Sequence, residues 1–180
     1  MYDLIILGGG PAGYLAAERA GHGGLKTLLI EKRFIGGVCL NEGCIPSKTL
    51  LNSAKILDYA MHGEAYGVSA NQAVIDQKAV IARKNKVVRN LSAGVKAQLK
   101  ASHVSVKEGL GKILGRENGI IRVKVGDEVF TAPRLIVATG SEAIVPPIPG
   151  VKEGLESGFV LTNREILALE TIPASLVIVG

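Results

Sequence analysis

The chain of 180 residues has no tryptophan, only three phenylalanines and four tyrosines, and no aromatic residue between positions 78 and 107, where its basic side chains concentrate. That gap argues against nucleic acid as a partner, because a base-binding surface interleaves cations with aromatic platforms. The same stretch lacks any acid, and it accounts for much of the formal charge of +5. Val80, Val87, Leu91, Val95 and Leu99 recur through it at helical spacing, so residues 71–102 read as an amphipathic helix with a solvated basic face. No apolar run approaches the roughly twenty residues that a bilayer-crossing helix needs, and no membrane association is expected. A secretory signal is missing too, and cysteine is nearly so: two residues, Cys39 and Cys44. Such usage points to a reducing, cytoplasmic compartment, where a disulfide is catalytic or sensing rather than structural. Three histidines, His22, His62 and His103, show no ligand spacing to each other or to the cysteines, so no metal site is expected.

What is abundant is glycine, and its placement is informative. A short apolar run at 2–7 leads directly into Gly8-Gly9-Gly10-Pro11-Ala12-Gly13, then a helical stretch through Leu15, Ala17 and Ala20, then a second apolar run at 26–30 ending at Glu31. Strand, GxGxxG, helix, strand and acid in register form a dinucleotide-binding βαβ unit. Gly8 makes the tight turn, Gly10 lets the backbone approach a pyrophosphate, and Gly13 permits close helix packing. Pro11 suits the first helical turn. Glu31 stands where a carboxylate accepts hydrogen bonds from a ribose diol, and it disfavours a 2′-phosphate.

Both cysteines lie in residues 36–48, with four residues between them. A relaxed backbone at Gly43 allows the two sulfurs to come within disulfide reach. From Pro46 onward Lys48, Leu50, Leu51, Ala54 and Leu57 read as a helix, which places Cys44 at its N-terminal end, where free amides favour a thiolate. Two buried structural cysteines are the plain alternative. The neighbouring dinucleotide fingerprint favours a redox role.

Beyond the basic helix the period changes. Residues 103–107, 109–114, 120–125 and 128–131 are short β-prone runs separated by glycine turns, which read as an antiparallel meander inserted into a parallel sheet. Residues 135–138 read as a buried strand returning to that sheet. Val145-Pro146-Pro147-Ile148-Pro149-Gly150 is a stiff linker, Thr162 or Asn163 caps a short helix through Leu169, and residues 175–180 repeat the opening pattern of an apolar strand arriving at a glycine. A buried parallel strand at that point is expected to continue into further sequence.

The motif Gly36-Gly37-Val38-Cys39, four residues, Cys44-Ile45-Pro46-Ser47-Lys48 resembles the pyridine nucleotide-disulfide oxidoreductase family, and Cys39-Leu40-Asn41 is most similar to its dihydrolipoamide-oxidising branch. The likeness extends to Gly109-Leu110-Gly111 and Ala138-Thr139-Gly140-Ser141. It implies a Rossmann-like α/β FAD-binding domain with a parallel sheet, inserted long helices and an antiparallel β-meander over residues 1–145. Residues 146–180 would form the linker and the first strand of an NAD-binding domain. By this resemblance Cys39 and Cys44 are the catalytic pair. Cys39 exchanges with substrate while Cys44 faces the flavin, and from the helix-start position of Cys44 the more accessible sulfur is expected to be Cys39. FAD would be held by Gly8, Gly10, Pro11, Ala12, Gly13, Glu31, Lys32, Gly37, Lys48, Gly111, Thr139, Gly140 and Ser141. The implied activity passes electrons from protein-bound dihydrolipoamide through the disulfide and FAD to NAD. The implied partner is a lipoyl-bearing protein of a 2-oxo acid dehydrogenase or glycine cleavage complex, and the complete protein is expected to be a homodimer. A related flavin disulfide or mercuric reductase, or a non-catalytic FAD-binding fragment, is the alternative. Val38 departs from the threonine common in the family, removing a hydroxyl from the cofactor's surroundings. The 180 residues are expected to be inactive alone, since the nicotinamide site and the downstream base of the family lie outside them.

Overall fold

The computed structural model describes all residues except Asn71 and Gly180. In chain order its elements are β1 (Leu4–Leu7), α1 (Pro11–His22), β2 (Thr27–Glu31), α2 (Gly37–Glu42), α3 (Cys44–Met61), a 3₁₀ turn (Gly63–Tyr66), α4 (Gln77–Ala101), β3 (Ser105–Glu108), β4 (Gly111–Glu117), β5 (Ile120–Val125), β6 (Glu128–Ala132), β7 (Arg134–Val137), α5 (Val151–Ser157) and α6 (Asn163–Ile166). They group into two compact units, Met1–Asn41 with Arg89–Glu142, and Glu42–Val88 with Ala143–Gly180.

The first unit holds both sheets. Four strands run parallel in the order β3-β2-β1-β7, with Leu4 beside Thr27 and Arg134 at the start of the central register. Because side chains alternate along a strand, β1 supplies both faces of the core. Leu4 and Ile6 pack with Ala17, Leu29, Leu99 and Val104 on the helical side. Ile5 and Leu7 pack with Leu28, Ile30, Val123, Val125 and Ala132 on the side of the antiparallel sheet β4-β5-β6. A strand covered on both faces reads as a continuous apolar run, which is why Leu-Ile-Ile-Leu is uninterrupted. Each such side chain taken fully out of water contributes on the order of 1.5–3 kcal/mol.

The structure departs from three sequence expectations for the strands. The run at 103–107 is not part of the meander: β3 pairs parallel with β2, Leu28 opposite Ser105, and the meander has three strands. The run at 135–138 is not buried, because β7 is a sheet edge, and Val137 is 60% exposed. Residues 175–179 form no strand. Leu176 to Val179 stay exposed, as an apolar run without a neighbouring strand has no partner for its amides. The glycine that was to end that run, Gly180, lies outside the described residues, as does Asn71, where the basic helix was expected to begin; α4 starts at Gln77.

In the second unit, α3 exposes most of its surface and buries Pro46 and Thr49. The Gln77 side-chain amide donates to the carbonyl of Leu169 at 2.9 Å, fixing the start of α4 to the segment after α6. A capping box opens α6: the Arg164 N–H donates to Thr162 Oγ1 at 3.3 Å and the Thr162 N–H donates to Glu165 Oε2 at 2.7 Å. The Thr162 hydroxyl hydrogen bond, then its backbone N–H, holds the Glu165 carboxyl below its ordinary value. The short helix ends at Ile166 rather than Leu169, three residues before the sequence pattern suggested.

Candidate active site: the glycine turn and the Cys39–Cys44 disulfide

At the C-terminal end of β1 the chain reverses through Gly8, whose N–H donates to the Ile30 carbonyl at 2.8 Å. Its φ of +103° lies where side chains are strained, and a Cβ there would stand 2.2 Å from the Ala138 carbonyl oxygen. Gly13 answers a different need: a Cβ on it would meet the Gly8 carbonyl oxygen at 1.7 Å, so only glycine lets α1 descend this close to the turn. Gly10 is the N-cap of α1 with extended backbone and no side-chain cap, Pro11 follows, and the first turn carries no acid. The positive end of a twelve-residue helix is thus left for an external anion.

Glu31 closes the turn from β2. One carboxylate oxygen accepts the Gly9 N–H at 2.6 Å and the other accepts the Arg33 N–H at 2.6 Å. Its own carbonyl accepts the Gly109 N–H at 2.8 Å, tying in the segment that leads to Gly111. Gly111 comes so near the parallel sheet that a Cβ would lie 2.5 Å from Leu7 Cδ2. The Ala138 N–H donates to the Leu7 carbonyl at 2.8 Å, which brings the exposed Thr139, Gly140 and Ser141 out at the same end of the sheet. Lys32, also exposed, pairs with Glu142 at 3.0 Å. Sequence-proposed residues from four separate segments therefore meet at one edge.

Gly37 joins them. The Gly36 N–H donates to the Gly9 carbonyl at 2.8 Å, and a Cβ at Gly37 would lie 2.6 Å from Gly10 Cα. The segment that carries Cys39 is in this way fastened to the glycine turn. Here the structure adds an element absent from the sequence reading: residues 37–42 are a short helix, α2, not an open turn. Asn41 steadies it by donating from Nδ2 to the carbonyls of Gly37 at 2.9 Å and Ile35 at 3.1 Å, and the Ser92 hydroxyl donates to Asn41 Oδ1 at 3.4 Å.

Cys39 and Cys44 are disulfide-bonded. Cys44 is the first residue of α3, two residues earlier than the sequence pattern placed the helix, and Gly43 is its N-cap with no side-chain cap. The Ser47 N–H bonds to the Gly43 carbonyl at 2.9 Å as the first backbone hydrogen bond of the helix, and Pro46 has no N–H to donate. Lys48 is exposed four residues further along α3, on the face of Cys44. Accessibility runs opposite to the expectation: Cys44 is exposed and Cys39 half-buried, because Cys39 precedes the buried Leu40 on α2 while Cys44 opens a solvent-facing helix. Val38 is 43% exposed beside it.

A parallel α/β sheet with a glycine turn at its C-terminal edge, and a disulfide carried on the segment fastened to that turn, is the arrangement of a dinucleotide-binding disulfide oxidoreductase. The model of the family described as pyridine nucleotide-disulphide oxidoreductase matches residues 2–180, and the chain belongs to this family. Among curated relatives, a dihydrolipoyl dehydrogenase of Mycoplasma genitalium is 47% identical over 99% of this chain and 38% of its own length. The chain thus spans well under half of that relative. Among solved structures, LpdA of Mycobacterium tuberculosis aligns with a TM-score of 0.73 at 29% identity, covering 82% of this chain and 33% of that one. The flavoprotein disulfide reductase RclA of Escherichia coli, solved as a Cu(II) complex, aligns at 0.74 and 27% identity over 93% and 34%.

The family implies FAD, and the local structure is suited to it. The glycines at 8 and 13 let α1 start directly on the turn, a Cβ at Gly10 would meet nothing nearer than Gly37 Cα at 3.8 Å, α1 offers an uncapped N-terminus, and a carboxylate ends β2. Among the described residues no helix is long and apolar enough to cross a membrane.

Proposed function

We propose that the full-length protein oxidises protein-bound dihydrolipoamide through the Cys39–Cys44 disulfide and FAD, with NAD as final acceptor. The observation that carries this reading is the disulfide with Cys44 at the uncapped start of α3, in a chain 47% identical to a dihydrolipoyl dehydrogenase. A substrate thiolate attacks the Cys39 sulfur, the bond between the cysteines breaks, and its electron pair leaves with Cys44 as thiolate. The N-terminal end of α3 and the Lys48 ammonium stabilise that charge. The second substrate thiol, losing its proton, attacks the substrate sulfur of the mixed disulfide, which closes the substrate's own disulfide and releases Cys39. The protein's disulfide is then a dithiol holding two electrons. FAD, when bound, supplies the two-electron acceptance that returns the pair to a disulfide. Gly10, Pro11, Ala12 and Gly13 would hold its pyrophosphate, Glu31 and Lys32 its adenosine, Gly37, Gly111 and the 139–141 segment its length, and Lys48 the flavin side.

In this reading residues 1–145 are the FAD domain, and residues 146–180 lead into an NAD domain. The partner is the lipoyl-bearing protein of a 2-oxo acid dehydrogenase or glycine cleavage complex, the assembly is a homodimer, and the setting is cytoplasmic. The 180 residues alone are not expected to run NAD-linked turnover. The likeness to RclA favours a second reading, a reductase that drives electrons outward to another disulfide or a metal ion.

The first test is the cofactor. Heat-denatured supernatant of the full-length protein is expected to release FAD, read by its fluorescence, at about one per chain. Stoichiometric nicotinamide without flavin would overturn the assignment of the first βαβ unit.

A further inference from the structure

Between the cysteines, Glu42 is held by residues far along the sequence. Its carboxylate accepts from Arg164 Nε at 2.8 Å, and its carbonyl accepts from Asn163 Nδ2 at 2.8 Å, across 122 and 121 positions. The Glu42 side chain is 13% exposed and that of Arg164 34%, so the pair is shielded better than a surface bridge. The capping box at Thr162 fixes the first turn of α6 and occupies Glu165, which leaves Arg164 directed to Glu42. Glu42 stands two residues before Cys44, in the same unit. The charged groups flanking Cys44 are then Glu42, two residues ahead of it and bonded to Arg164 of α6, and Lys48 on its own helix, while Glu165 is occupied by Thr162.

We propose that Arg164 is a positioning residue for the redox pair: it neutralises Glu42 and, with Asn163, holds the intercysteine segment, so that Cys44 departs readily as a thiolate. An acid left unpaired this close would repel the thiolate, whereas a paired one does not. The leaving sulfur of an exchange departs faster the more acidic its thiol. Arg164 therefore acts on the step in which the electron pair leaves with Cys44, without touching substrate. This rests on the reading of Cys39 and Cys44 as an exchanging pair.

The signs of two variants separate an electrostatic role from a tether. The reduced chain is treated with limiting iodoacetamide across a range of pH, and labelling at Cys44 is followed by mass spectrometry. Arg164→Gln is expected to slow labelling at pH 7 by about threefold, because the thiolate fraction falls. Glu42→Gln is expected to quicken it by a similar factor, and the double variant to return near the parent rate. Arg164→Lys, which keeps the charge, is expected to stay closer to the parent than Arg164→Gln. Equal slowing by Arg164→Gln and Glu42→Gln would show a tether only and overturn the proposal, as would no change in either. Failure of the parent disulfide to exchange with any dithiol would instead count against the exchanging-pair reading.

Discussion

Serine in place of Cys39, or of Cys44, is expected to lower kcat/KM of the full-length protein toward dihydrolipoamide by at least about a thousandfold, read in a steady-state assay of NADH formation. Either substitution removes one sulfur from a two-sulfur shuttle, so neither leaves a partial route for an electron pair. The two variants are expected to differ in what they retain. In the Cys44→Ser variant, Cys39 still forms a mixed disulfide with a small disulfide reagent, but no internal thiol resolves it. In the Cys39→Ser variant, the remaining thiol, Cys44, sits at the α3 N-terminus, where its anion is favoured. The bond closes a loop of only four intervening residues, so its loss is expected to cost about 2 kcal/mol of stability, at the low end for a disulfide. Flavin content comparable to the parent would place the loss in the chemistry. Turnover within tenfold of the parent in either variant would remove the disulfide from the mechanism.

Gly13→Ala is expected to be the most damaging single methyl in the first unit. Its Cβ would lie 1.7 Å from the Gly8 carbonyl oxygen, which is backbone and cannot rotate away, so α1 must lift off the turn. That motion separates Ala17 from Leu4, Ile6 and Leu29 and unseats the anion-facing amides together. A cost of at least about 3 kcal/mol is expected, above the usual range for one added methyl because backbone rather than side chain must move. Thermal unfolding should fall by roughly 6–12 °C in a chain of this size. Gly94→Ala is the control: beyond its own stretch of helix backbone nothing lies within 4 Å of its Cβ position in the interior of α4, and alanine there is expected to stabilise by about 0.5–1 kcal/mol. A melting temperature for Gly13→Ala equal to the parent would mean that the turn is less tightly closed than described.

The glycine turn was legible because its chemistry is local. Gly8, Gly10, Gly13 and Glu31 fall within one βαβ unit, and their spacing alone specifies turn, helix start and acid. Sheet order was not legible. The four residues of β3, Ser-Val-Lys-Glu, alternate in the same way whether the neighbour is β2 or a meander strand, and only the crossover geometry decides. β7 misled in the opposite direction: an apolar run resembles a buried strand even where its place in the order makes it an edge. Around the cysteines, the body of α3 followed from the helical pattern after Pro46, with its start two residues earlier at Cys44, but α2 did not, because Gly37 and Asn41 are poor helix formers and the helix is held by Asn41 side-chain bonds. The contact of Glu42 with Arg164 carries no local signal at all. The Thr162-x-x-Glu165 capping box marked where α6 begins, yet nothing in it points back across the 122 positions to Glu42.

The central claim is that Cys39 and Cys44 exchange as a pair with a substrate dithiol, and it can be measured on the chain itself. The oxidised protein is mixed anaerobically with a slight molar excess of dihydrolipoamide, quenched with N-ethylmaleimide, and digested for mass spectrometry. The expected result is maleimide on both Cys39 and Cys44, rising together, with one oxidised lipoamide formed for each protein disulfide lost. Cysteines that remain bonded to each other under excess dithiol, with no oxidised lipoamide released, would contradict the account.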